Sequence, residues 1–145
     1  MENDEFVKLM NDDDNYEIVK YVVENGYDPS WNNSYAVLRA ASHNSVKILK
    51  YLLTLDTIDT KALNSQNIFT APVMYGYIET VKILLADKRF DPTISKNVIM
   101  YSADLSDKKD KMTKLLLKDE RIFSACAKFE QWKYLPDSVK DIFIF

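Results

Sequence analysis

Glycine, cysteine and histidine are scarce in this chain, and their scarcity excludes several classes of site. Two glycines among 145 residues cannot build a glycine-rich phosphate-binding loop. With one histidine, His43, and one cysteine, Cys126, neither a zinc site of the usual Cys/His composition nor an internal disulfide is possible. A Ser-His-Asp triad would have to use His43, and no nucleophile-elbow sequence accompanies it. We therefore expect no metal, no cofactor and no enzymatic activity.

The residues that could suggest a site have ordinary structural explanations. Asp12-Asp13-Asp14-Asn15 resembles a calcium loop but lacks the glycine at its sixth position and the closing glutamate. We expect an acidic inter-helix turn there. Cys126 is expected to be a small buried apolar side chain, in a reducing, intracellular setting. His43 is expected to lie in solvent or in a partner contact.

An excess of positive charge is absent as well. The net charge is −3 and the lysines are interleaved with acids, which argues against nucleic acid because phosphate binding needs clustered Lys and Arg. The acidic start Met1–Glu5 is unlike a signal peptide. The apolar end Ile142–Phe145 is far shorter than the roughly 20 residues that span a bilayer. We expect a cytoplasmic protein that binds no membrane.

The chain instead contains one amphipathic sequence motif in four copies. The copies close on apolar pairs at positions 22/23, 52/53, 84/85 and 116/117, so the steps are 30, 32 and 32 residues. In the second copy Val46, Ile48, Leu49, Leu52 and Leu53 share one face at helical spacing, and we expect the closing pair of every copy to lie in the core. A period in this range is typical of stacked repeats, which bind other proteins through an extended face.

Each copy is preceded by a shorter apolar segment and followed by a loop in which Asp comes after an apolar residue. The preceding segments predict a first helix in each unit: Phe6–Met10, Ala36–Ser42, Ile68–Met74 and Val98–Ala103. The expected exit loops are Tyr27–Ser30, Ile58–Lys61, Phe90–Thr93 and, more weakly, Arg121–Phe123. Gly26 is expected in a left-handed position after a helix, and Asn33, Asn67 and Asn97 are expected in turns.

Two departures from the repeat carry their own predictions. Pro72 would cost about 3 kcal/mol inside a helix, so we expect that helix to start late, with Thr70 as its N-cap and Pro72 in its first turn. Ser106–Asp110 lengthens the inter-helix turn of the fourth unit by about two residues. This turn is either a solvated charged loop or a protruding partner contact.

The repeated units resemble ankyrin repeats, in the degenerate form found in amoebae and their large DNA viruses. The resemblance covers about residues 2–123. The matching residues in the third copy are Gly76, Glu79, Val81, Leu84 and Leu85, and in the second they are Ala40, Ala41, Leu49, Leu52 and Leu53. Asn44 replaces the inter-helix glycine, and the family's Thr-Pro-Leu-His opening is absent from every copy.

The resemblance implies an all-α ankyrin-repeat solenoid of about four helix-turn-helix repeats with a helical C-terminal cap. The repeats would span residues 2–33, 34–65, 66–96 and 97–123, and the cap residues 124–145. It also implies a protein partner, held by loop tips and by the exposed, concave side of the first helices. A viral origin would place the protein in the cytoplasm or nucleus of a host cell.

Carried over by position, the resemblance names a partner-binding strip. Its members are Trp31, Tyr35, Arg39, His43, Gln66, Met74, Tyr75, Lys96 and Tyr101, with Ser34, Ser42 and Asp104 beside them. Large aromatic and arginine side chains are common interface anchors, and Trp31 is the strongest candidate. Trp31 and Tyr35 could instead pack between neighbouring loops.

The segment after the repeats leaves three hypotheses open. Ala125–Leu135 suits a capping helix, and Leu135–Ile142 starts another. Leu135–Ile142 is also similar to the Leu-Pro-led segment by which F-box-like or SOCS-box tails recruit cullin-type ubiquitin ligases, so a substrate adaptor is an alternative. The apolar Phe143–Phe145 could pair with a second copy. We expect a monomer, with a homodimer through this end as the alternative.

Overall fold

The computed structural model describes residues 1–94, 98–129 and 137, and every regular element within them is a helix. The all-α prediction is confirmed. The chain divides into two compact units, Met1–Ile68 and Phe69–Phe145. None of the described helices is both long and apolar enough to cross a membrane.

The first unit contains two helix pairs and a short fifth helix. The helices are α1 (Asn3–Leu9), α2 (Tyr16–Glu24), α3 (Trp31–Ser42), α4 (Val46–Leu52) and α5 (Thr60–Ser65). Helix α3 packs on both α1 and α5, and the second helices α2 and α4 pack on each other. This is the arrangement in which each repeat buries its apolar face against the next.

Hydrogen bonds from the inter-helix turns join the first two repeats. The buried Ser45 hydroxyl donates to the Met10 carbonyl at 2.7 Å. The Ile48 amide, in the first turn of α4, donates to an Asp13 carboxylate oxygen at 3.0 Å. Asp13 belongs to the 3₁₀ turn Asp13–Asn15, so the acidic segment is an inter-helix turn that caps the neighbouring repeat's helix.

Left-handed residues close four of the helices. Each is followed by an amide that bonds the carbonyl five residues back, the Schellman arrangement. The residues are Gly26, Asn44, Asn67 and Gly76, with φ of 101°, 55°, 53° and 71°. The bonds run from Tyr27 to Val22, Ser45 to Ala40, Ile68 to Leu63 and Tyr77 to Pro72, at 3.2, 3.0, 3.2 and 2.8 Å. The predictions for Gly26 and Asn67 are confirmed, and Asn44 takes the place of glycine because Asn tolerates this backbone region. Asn97 lies outside the described residues.

The second unit repeats the pairing. Its helices are α6 (Thr70–Met74), α7 (Ile78–Ala86), α8 (Val98–Asp104), α9 (Lys109–Leu117) and α10 (Glu120–Phe129). First helices α6 and α8 pack together, as do second helices α7 and α9, and α10 packs on α9. We refer to α1/α2, α3/α4, α6/α7 and α8/α9 as the first to fourth repeats.

The closing apolar pairs differ in how deeply they are buried. Leu84, Leu85, Leu116 and Leu117 are buried, as the core prediction requires. Leu52 is buried, but Leu53, Val22 and Val23 are only half-buried. The core prediction is therefore wrong for those three residues, which lie at the less covered ends of α2 and α4.

Two of the expected exit loops are helical. Asp59 caps α5 by accepting the Ala62 amide at 2.9 Å, so the loop expected at Ile58–Lys61 passes into a helix that the sequence analysis missed. Asp119 accepts the Arg121 amide at 2.9 Å, and Arg121–Phe123 forms the start of α10. Unlike the loops with Pro29 and Pro92, neither segment contains a proline that would stop a helix.

The helix with Pro72 starts late, as predicted. Pro72 lies in the first turn of α6, where its missing amide costs no internal hydrogen bond. The N-cap is Phe69, one residue before the expected Thr70.

Arg121 joins the third and fourth repeats. Its Nη1 donates to the Phe90 carbonyl at 2.8 Å and its Nη2 to the Leu85 carbonyl at 3.1 Å. Its Nε and Nη2 bind the Asp119 carboxylate at 3.0 and 2.7 Å. Burial alone would raise the pKa of Asp119, but the hydrogen bonds and charge of Arg121 outweigh it and lower that pKa. We call these contacts the Arg121 clamp.

Candidate partner-binding surface

Helix α3 carries a polar stripe in the first unit. Tyr35, Arg39 and His43 follow one another at intervals of four residues, which places them on one side of the helix. Arg39 is half-buried and its Nε donates to the Asn11 side-chain oxygen at 2.8 Å. His43 is exposed, and its Nδ1 lies 3.0 Å from the Arg39 carbonyl. Because that carbonyl can only accept, Nδ1 is the protonated nitrogen in this contact.

A left-handed turn separates this stripe from Trp31. Asn32, Asn33 and Ser34 have φ of 51°, 58° and 62°. Trp31, just before the turn, is 41% exposed, so its side chain is available to a partner. Ser34 is fully buried instead, and its hydroxyl accepts the Asp59 amide at 2.7 Å. The expectation that Ser34 belongs to the surface is wrong, because its hydroxyl joins the loops of two repeats.

The same turn forms one wall of a polar pocket of about 430 Å³. Gln66, which the sequence analysis named, lies at its edge and is exposed. The other lining residues are Asn32, Asn33, Asp59, Lys61, Ala62 and Ser65. Sequence reasoning missed them because α5 and the left-handed turn, which bring them together, were not predicted. The Asp59 cap signal before Ala62 and Leu63 could have revealed α5.

Helix α8 exposes apolar side chains in the second unit. Val98, Tyr101 and Leu105 are 36, 50 and 51% exposed. Their spacing of three and then four residues places them on one side of the helix, and we call them the α8 stripe. Tyr75, at the end of the adjoining α6, is 55% exposed, and Met74 is half-buried. Exposed apolar side chains grouped in this way are typical of interaction surfaces.

Sequence reasoning found Tyr75 and Tyr101 but missed Val98 and Leu105. Leu105 comes just before an inter-helix turn, at the position that His43 and Tyr75 hold in their repeats. That equivalence was obscured by the longer turn of the fourth repeat. Lys96, the remaining predicted member, lies outside the described residues.

The turn after α8 is anchored at its first residue, while most of its other residues are exposed. Ser106 is buried and its hydroxyl accepts the Lys108 amide at 3.2 Å. Asp104, expected beside the strip, forms an ion pair with Lys109. A Cβ added at Gly76 would lie 3.1 Å from Lys108 Cγ, so the stem of Lys108 lies against the neighbouring inter-helix turn.

The described residues offer little reactive chemistry. No group of three or more His, Cys, Asp or Glu side chains among them could hold a metal ion. Cys126 is buried as expected, and burial raises the pKa of its thiol to about 11. The thiolate is therefore scarce at neutral pH, and the thiol is a packing group.

A family model for ankyrin repeats, in three copies, matches residues 7–100. The chain belongs to the ankyrin-repeat family. No curated protein and no solved structure matches it. Ankyrin repeats are protein–protein interaction modules and typically have no catalytic activity. In this ankyrin-repeat chain, the α3 and α8 stripes both lie on first helices.

Proposed function

We propose that this ankyrin-repeat protein is a non-enzymatic module that binds a protein partner through the exposed side of its first helices. In this proposal the repeats occupy residues 1–123, the cap occupies residues 124–145, and the protein acts in the cytoplasm. The observation that carries the proposal is the α8 stripe. An exposed Tyr and two exposed aliphatic side chains on one helix face would gain from burial against a partner.

The neighbouring Tyr75 extends the support for an apolar contact. Its ring lies 5.7 Å from that of Tyr77, which limits its freedom before a partner arrives. A side chain that is already ordered loses less conformational entropy on binding. Tyrosine also supplies a large contact area together with a hydroxyl.

The first unit would add polar and aromatic contacts. Arg39 is held by Asn11, and His43 is held by a backbone carbonyl, so both are ordered before binding. Trp31 begins α3 and Gln66 is the C-cap of α5, and the family resemblance names both as partner contacts. These assignments, and that of Lys96, remain proposals.

Partner recovery from cell lysate, identified by mass spectrometry, tests the proposed surface. The variant Tyr75→Ala/Tyr101→Ala/Leu105→Ala removes three exposed side chains, and we expect it to lose the wild-type protein's main partner. The matched control is Ile18→Ala/Tyr21→Ala on α2, because these side chains are 49 and 67% exposed on a second helix. Equal recovery by both variants, with unchanged circular dichroism, would rule out the α8 stripe as the binding surface.

The ligase-adaptor and self-assembly hypotheses rest on the segment after Phe129. Apart from Asp137 that segment lies outside the described residues, so both hypotheses stay sequence predictions. Truncation before Leu135 separates them. Loss of a co-purifying cullin would support the adaptor, loss of a dimer in light scattering would support self-assembly, and loss of folding alone would support a cap.

A further inference from the structure

The Arg121 clamp has a counterpart position in the second repeat where arginine is missing. Counted from the closing apolar pairs, Asp119 and Arg121 correspond to Leu55 and Thr57. Of the clamp's carbonyl acceptors, Leu85 corresponds by this count to Val23, whose carbonyl already accepts the Gly26 amide at 3.0 Å. Phe90 corresponds to Tyr27 by the shared loop sequence of an aromatic residue followed by Asp-Pro, since the loop of the first repeat is one residue shorter. The same place between two successive exit loops therefore lacks its guanidinium in the first unit.

A groove of about 440 Å³ lies at this place. Residues from both successive loops line it, among them Val23, Tyr27, Asp28, Leu55, Asp56 and Thr57. Asp28 and Asp56 are exposed, and no lysine or arginine lines the groove. Within the described part of the chain, Asp56 forms no ion pair and the Tyr27 carbonyl receives no hydrogen bond. The groove thus combines negative charge with an acceptor that has no donor.

We propose that this groove binds an arginine side chain of a protein partner. A guanidinium is planar and carries five N–H donors, which suits a site that offers carbonyl and carboxylate oxygens together. The Arg121 clamp shows that this chain's own loops hold arginine in this way, with two carbonyls and one carboxylate as acceptors. The groove is separate from the α8 stripe, so the inference is independent of the proposed function.

Lysine is a poorer occupant for a geometric reason. The Arg121 clamp uses three nitrogens of one rigid group to reach acceptors on different residues. A lysine ammonium is a single compact centre and cannot reproduce that spread. The groove should therefore distinguish arginine from lysine, whereas simple attraction to Asp28 and Asp56 would not.

Nuclear magnetic resonance titration of the whole protein tests the proposal. The probe is the peptide acetyl-Gly-Arg-Gly-amide, compared with its lysine and citrulline analogues. With the arginine peptide we expect saturable shifts of the Gly26, Tyr27 and Thr57 amide signals. Binding of the lysine peptide should be weaker and the neutral citrulline peptide should cause no shift. Equal shifts at these amides with arginine and lysine peptides, or none with arginine, would overturn the proposal.

Two variants distinguish the effect of filling the groove from the effect of removing its negative charge. Leu55→Asp/Thr57→Arg rebuilds the clamp within the chain and should abolish peptide binding. Asp56→Asn should weaken binding about two- to fivefold, the effect of one exposed ion pair. Asp107→Asn, an exposed carboxylate in the second unit, is the matched control and should change nothing. If the double variant fails to fold, Asp56→Asn decides, and wild-type affinity in it would refute the assignment.

Discussion

Replacing Arg121 by methionine should remove the clamp between the third and fourth repeats while keeping an unbranched apolar stem. Four side-chain hydrogen bonds would be lost, two to backbone carbonyls and two to Asp119. Only 29% of the Arg121 side chain and 9% of the Asp119 side chain are exposed, so water replaces these bonds poorly. We expect the variant to be clearly less stable.

The expected loss in the free energy of unfolding is the sum of three contributions. The two bonds to carbonyls contribute about 1.5 kcal/mol each, the low end for a charged donor, because Arg121 is partly exposed. Leaving the Asp119 carboxylate without its partner costs about 1 kcal/mol more. The side-chain freedom regained without arginine offsets about 2 kcal/mol. The expected loss is therefore about 2 kcal/mol, at the interface between two repeats.

The loss of stability caused by Arg121→Met should depend on pH. In the wild type the pKa of Asp119 is below its unfolded value, so its stabilising contribution is present above that unfolded value and is lost as the pH falls through the folded pKa. Without Arg121, its pKa-lowering hydrogen bonds and charge no longer outweigh the effect of burial, so the pKa of Asp119 rises. The difference in stability between wild type and variant should then shrink between pH 7 and pH 3.

Urea unfolding at both pH values measures the effect. Lys118→Met is the matched control, because it removes the same charge from the exposed residue next to Asp119. Arg121→Lys should be intermediate, since it keeps the charge without the planar fork. A loss below about 0.5 kcal/mol at pH 7 for Arg121→Met, within the range of ordinary surface substitutions, would refute the reasoning.

Two further substitutions test the repeat core and its turns. Leu84→Ala should cost about 2–5 kcal/mol in a urea melt because Leu84 is fully buried, and a loss below about 1 kcal/mol would contradict its place in the core. Gly76→Ala should cost about 1–2 kcal/mol from its left-handed backbone, with a further loss from the contact with Lys108. Lys108→Ala should relieve part of that further loss, because it removes Cγ and Cδ and leaves only the Cβ at 3.3 Å. Gly26→Ala makes no such contact, since no atom lies within 4 Å of its added Cβ, whereas equal losses from Gly76→Ala with and without Lys108→Ala would argue against the Lys108 contact.

The repeat helices could be predicted because their signals are local. The spacing of apolar residues places the second helices, and the scarce glycines and asparagines mark their turns. The position of Pro72 was enough to predict a late helix start, because proline lacks the amide that an inner turn needs. The α5 helix was missed because its Asp59 cap followed a segment that resembled the other exit loops.

The candidate surface was only partly predictable. Tyr75 and Tyr101 were found by position in the repeat, but the exposure of Val98 and Leu105 depends on how α8 packs on α6. Ser34 was assigned to the surface because its position in the repeat is usually exposed. Its left-handed backbone instead buries the hydroxyl against the Asp59 amide, and no local pattern indicates that bond.

The sequence by itself determined the all-α repeat, the family and the scarcity of catalytic groups, because periodicity and composition are properties of the chain. Tertiary structure alone decided which equivalent positions differ in role. Arg121 and Thr57 hold the same place in their repeats, yet one closes an interface and the other leaves a groove. The difference arises because each loop packs against the loop of the neighbouring repeat, about 30 residues away in the chain. The hydrogen-bond donors and acceptors of that neighbouring loop decide whether a contact forms.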